Sequence, residues 1–106
     1  MATYWNIEAI TGYKPKTTFW QDFNIAEMFG ENGIRDTFKT AFESWKSNVE
    51  YVTELVMVLN WKMFAHNQSG NMTLARLYQE LWEKADGWCC DNLKGDDLSY
   101  FYHTTD

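Results

Sequence analysis

The sequence has one proline, Pro15, and two cysteines, Cys89 and Cys90, and it lacks any long apolar run. Each scarcity excludes something. A transmembrane helix needs about 20 consecutive apolar residues, and the run around Val56–Leu59 is far shorter. Met1–Ile10 has no basic start and carries Glu8, so no signal peptide is expected. The closing residues His103–Asp106 match no lipidation or retention signal. Adjacent cysteines rarely bridge, because the geometry is strained. Reduced thiols and a cytoplasmic home are therefore expected. Basic residues are also few: 9 Lys and Arg stand against 15 Asp and Glu, for a net charge of −6. A nonspecific nucleic-acid coat needs Lys and Arg to displace counterions. With Lys14 and Lys16 as the only basic cluster, direct nucleic-acid binding ranks last.

What is present points to a folded helical chain. At 106 residues, the expectation is one domain spanning 1–106. A hydrophobic content of 45% and an aromatic content of 18% exclude disorder across the chain, because a disordered segment lacks the apolar surface that offsets ordering entropy. The chain after Pro15 is proline-free, which suits long helices. Residues 1–17 read as an irregular lead-in, with Gly12, Pro15, Lys14 and Lys16.

Helical periodicity then takes over. Thr18 and Gln21 fit a capping box, and Phe19, Phe23, Ala26 and Met28 or Phe29 follow at helical spacing up to Gly30, a natural stop. From about Gly33 to Asn48, Ile34, Phe38, Ala41, Phe42 and Trp45 form an aromatic stripe opposite charged residues. Asn48 is read as a break. Between Val49 and His66 the helix is apolar on most sides, so it is either the centre of the bundle or an oligomer seam near Met57 and Trp61. Asn67–Asn71 is the plainest loop. A last long helix is expected from about Asn71 to Cys90, with Glu80 and Lys84 paired one turn apart. Lys94–Asp97 reads as a turn and Leu98–Tyr102 as an aromatic tail, helical or extended, docked on the bundle. The fold class is thus all-α: a compact bundle of about four helices over 18–93, with a docked tail over 94–106.

The candidate chemistry is sparse. Cys89, Cys90, Asp91 and His103 do not have the paired spacing of a tetrahedral metal site, and neighbouring cysteines on a helix point about 100° apart. No metal and no cofactor is expected. A Cys–His nucleophilic pair, using Cys89 or Cys90 with His66 or His103, is formally possible, but no glycine-rich turn or oxyanion donor stands nearby. Glu50 with Glu54, and Glu80 with Glu83 and Asp86, share helix faces. Such pairs can do acid–base work, yet a solvated face is the simpler reading. Gly30–Gly33 is too short for a phosphate loop and lacks the Lys-Ser or Lys-Thr that follows one. No catalytic residue is assigned.

Aromatics and charge carry more. Trp20, Trp45, Trp61, Trp82 and Trp88 fall mostly on apolar stripes and are expected in the core. Tyr4, Trp5, Tyr100, Phe101 and Tyr102 are harder to place inside, and Trp and Tyr are enriched at protein interfaces. From Glu80 onward, seven acids face only Lys84 and Lys94. This is either a solubility device or an acidic, aromatic-edged surface that meets a basic one.

The wording of three stretches is also familiar. Tyr13–Phe23 (YKPKTTFWQDF), Leu55–Lys62 (LVMVLNWK), and Asn92–Gly95 with Leu98–Phe101 resemble small acidic proteins of unknown function carried on mobile elements of Gram-positive gut bacteria. That resemblance supplies no catalytic residues. It implies a context in which such cargo acts against host defences, as anti-CRISPR and anti-restriction proteins do. The expected function is therefore non-catalytic binding to another protein with a basic surface, such as a defence nuclease. The contact is expected through Glu83, Asp86, Asp91, Asp96, Asp97, Tyr100 and Tyr102. The alternatives are a homodimeric assembly protein joined through residues 52–64 and, third, a small cysteine-dependent enzyme.

Overall fold

The computed structural model describes residues 7–105. They form six helices: α1 Ile7–Thr11, α2 Phe19–Ala26, α3 Gly30–Trp45, α4 Val49–Gln68, α5 Met72–Asn92 and α6 Gly95–Thr105. A 3-10 turn, Glu27–Phe29, joins α2 to α3, and no strand occurs among the described residues. The all-α expectation holds, and the break at Asn48 is present.

The polar residues at the two long-helix starts explain where the chain turns. Asn48 Oδ1 accepts from Tyr51 N at 3.2 Å, and Asn71 Oδ1 accepts from Leu74 N at 3.2 Å. Each satisfies a backbone donor that the first helical turn leaves unpaired, a contribution of about 1 kcal/mol. Gly70, at φ +84°, makes the reversal between α4 and α5 in a conformation that favours glycine.

α4 is the axis of the fold. Every residue from Val52 to Leu59 is buried, with α5, α6, α3 and α2 packed around it. This accounts for a helix apolar on nearly all sides. Over Val52–Leu59 its apolar surface is consumed by its own chain: Met57 is buried and Trp61 half-buried, while Phe64 nearer the C-terminal end stays exposed. α5 adds Leu77, Tyr78, Leu81, Ala85 and Cys89 to the same core, and Phe101 anchors α6 to it. Truncating a buried leucine such as Leu55 or Leu59 to alanine costs about 2–5 kcal/mol in such a setting.

Several local expectations need correction. The lead-in is not wholly irregular, because Ile7–Thr11 is helical and Ile7 is buried. Its remainder is tied down by Glu54. That carboxylate, expected on a solvated face with Glu50, is buried. It accepts from Tyr13 Oη at 3.0 Å, Lys16 N at 2.7 Å and Thr17 N at 3.0 Å, and from the Thr17 hydroxyl. Pro15 lies inside this strap, where rigid φ and a missing donor do no harm. The Thr18–Gln21 capping box does not form. The Thr18 hydroxyl instead donates to Asp22 at 3.0 Å, and Phe19 N turns to Thr17 Oγ1 at 3.2 Å. α3 begins at Gly30 rather than Gly33. Lys94–Asp97 is not a free turn, because α6 already starts at Gly95. Trp45, expected in the core, is 40% exposed, and Met28 and Phe29 are 79% and 73% exposed. Tyr4 and Trp5 lie outside the described residues.

Candidate functional site

The residues expected to meet a partner all lie on α5 and α6. Glu83, Asp86 and Cys90 follow at steps of three and four along α5, which places them on one stripe. Glu83, Asp91, Asp96 and Asp97 are exposed, and no ion pair joins them to the described residues. Asp96 and Asp97 occupy the first turn of α6, where the helix dipole favours negative charge. Tyr102 is exposed, whereas Tyr100 is half-buried. Glu80 does not belong to this acidic surface. Its carboxylate is gripped by Arg35, with Nη1–Oε2 at 2.7 Å and Nη2–Oε1 at 3.1 Å, a forked pairing that ties α3 to α5. Lys84, its expected partner, stands at 3.8 Å.

Asp86 is drawn inward. It is half-buried, and burial pushes its carboxyl above the usual value. Cys90 Sγ approaches Asp86 Oδ2 at 4.0 Å. The last helix, α6, packs against α5, and the Cys90 thiol nearby holds the Tyr102 hydroxyl above the usual phenol value. Asp86, Cys90 and Tyr102 therefore come together, while His103 Nδ1 faces the Ser99 carbonyl oxygen at 2.9 Å.

Cys89 does not have the setting of a nucleophile. Cys89 is buried, and burial, with Asp86 and Cys90 nearby, pushes its thiol up to about 12. A catalytic thiol needs the opposite shift. Cys90 is exposed. No group of three or more His, Cys, Asp or Glu suited to a metal ion occurs among the described residues, and no helix among them is long and apolar enough to cross a membrane.

Sequence reasoning missed a partly buried polar cluster centred on Glu27. Three donors converge on Glu27 Oε2: the Tyr78 hydroxyl at 2.6 Å, Lys62 Nζ at 2.9 Å and His66 Nε2 at 3.0 Å. A carboxylate can only accept, so the His66 Nε2 carries the proton of that contact. Lys62 also donates to Asn24 Oδ1, and its ammonium sits 4.5 Å from the centre of the Trp20 ring. The His66 and Tyr78 rings stack with centroids 5.6 Å apart. Burial alone would raise Glu27, but the bonds from His66, Tyr78 and Lys62 outweigh it and bring the carboxyl down to about 2. Burial moves Lys62 below the usual lysine value. Lys62 has 0% exposure, so its amine is not presented to a solute. The cluster ties the 3-10 turn, α4 and α5 together. The one sequence signal was a lysine at the next step of the Val52–Leu55–Leu59 stripe.

No family model, curated protein or solved structure matches this chain.

Proposed function

We propose that the protein is a non-catalytic binding module that occupies a basic surface of another protein at one-to-one stoichiometry. The working context is cargo of a mobile element directed at a host defence nuclease, of the anti-CRISPR or anti-restriction type. One observation carries this reading. The last turns of α5 and the first turn of α6 present Glu83, Asp91, Asp96 and Asp97 exposed and without ion pairs to the described residues, beside the exposed ring of Tyr102. Such an edge complements a basic groove and steers association with it. The unbridged cysteines fit the reducing cytoplasm in which such a target works.

The test is affinity capture from a Gram-positive host lysate with tagged protein, repeated with the Asp96→Lys/Asp97→Lys double variant. The expected result is one basic protein or nucleoprotein retained near equimolar amounts by the native chain and lost with the variant. Equal retention by both would remove the acidic edge as the contact. Recovery of the bait alone as a dimer would favour self-assembly.

A further inference from the structure

A second surface, made by α2 and α3, shares no residue with the acidic edge. The two helices leave an open trough of about 430 Å³ between them, within the size range of small-molecule clefts. Phe19 forms part of its floor and is itself buried. Ile25 and Trp45 line it as apolar walls, and both are exposed, at 50% and 40%. Trp45 is not a loose side chain: its ring packs on Tyr51 with centroids 4.7 Å apart. The charged residues lining the trough are both acidic, Asp22 and Asp36. Asp22 holds the Thr18 hydroxyl at 3.0 Å, while no ion pair joins Asp36 to the described residues. The α3 wall runs from Asp36 to Trp45, a length of about 14 Å and so about two and a half helical turns.

We propose that this trough docks a short amphipathic segment of a partner protein, with one large apolar side chain seated between Ile25 and Trp45 and Lys or Arg a turn away facing Asp22 and Asp36. The binding mode is helix-in-groove, in which apolar anchors supply affinity and flanking charges supply register. Charge decides the occupant. A second copy of this chain carries a net charge of −6 and would bring like charge against the acidic rim. A cationic segment meets complementary charge there. This inference goes beyond the α5–α6 contact and does not depend on it.

The test uses a phage-displayed library of random peptides selected against the full-length protein. Enriched peptides are expected to carry a large apolar residue with Lys or Arg three or four positions away. A labelled peptide of that kind is expected to lose roughly tenfold or more in affinity to Thr40→Trp, which fills the trough, and to Asp36→Lys. It is expected to bind Asp96→Lys/Asp97→Lys as it binds the native chain, which separates this site from the acidic edge. Thermal melts of the variants check that each is folded, and Asp36→Lys, a surface change, stands if Thr40→Trp does not fold. Peptides without cations, or equal affinity for the native chain and Asp36→Lys, would overturn the proposal. So would concentration-dependent dimerisation abolished by Thr40→Trp, which would assign the trough to a second copy.

Discussion

Lys62 Nζ lies 2.9 Å from Glu27 Oε2, deep between α4 and the 3-10 turn, and the two charges stand or fall together. Removing one partner takes the opposite charge away from the other, leaving Glu27 to Tyr78 and His66 or Lys62 to Asn24. That costs up to about 3–5 kcal/mol, whereas replacing both with neutral groups is often close to neutral. Glu27→Gln and Lys62→Met are therefore each expected to destabilise strongly. The double variant Glu27→Gln/Lys62→Met is expected to lose far less than the sum. Urea unfolding of the three variants measures this, and additive losses would contradict the coupling.

The same carboxyl sets an acid limit. Its value is lowered from 4.5 to about 2. A depressed carboxyl contributes stability that is present above the unfolded value and lost as pH falls through the folded one. The contribution is on the order of 3 kcal/mol and should disappear between about pH 5 and pH 2. Stability measured against pH should fall across that window in the native chain and more gently in Glu27→Gln.

Glu54 holds the strap before α2. Replacing it with leucine leaves Lys16 N and Thr17 N without their acceptor, at about 1–3 kcal/mol for each donor that water does not reach. Hydrogen exchange should speed up at Lys16 and Thr17 in Glu54→Leu while the α5 amides stay protected. Alkali should act on the same contact. Burial, with the nearby Glu54 carboxylate, holds Tyr13 well above the usual phenol value. A raised acid contributes stability present below about pH 10 and lost as pH rises through its folded value.

Two helical glycines should respond oppositely to alanine. At Gly33 a Cβ would meet the Ala26 carbonyl oxygen and the Phe29 Cβ, each at 2.7 Å, so backbone must move. At Gly87 nothing lies within 4 Å. Gly87→Ala is expected to gain up to about 1 kcal/mol from helix propensity, and Gly33→Ala to lose stability despite the same gain. Thermal melts of the pair decide it.

The thiols should also separate. A thiol reagent is expected to label Cys90 in the native protein and Cys89 only on unfolding, because Cys89 is buried and its thiol is pushed up to about 12. Mass mapping of the labelled peptides reads the outcome.

Local pattern and tertiary placement divided the labour along a physical line. The helical class, the central role of α4, the break at Asn48 and the reversal within Asn67–Asn71 follow from periodicity and capping, which act over a few residues and are written in neighbouring positions. Phe101, by contrast, is hard to place inside from local pattern and is buried by the packing of α6. The convergence of Glu27, Lys62, His66 and Tyr78, the burial of Glu54 under Tyr13–Thr17, the capture of Glu80 by Arg35, and the trough between α2 and α3 join residues far apart in the chain. No short-range spacing encodes them. Helix packing alone decided which charged side chains met a partner inside and which were left facing solvent, since a buried charge persists only where the fold delivers its counterpart.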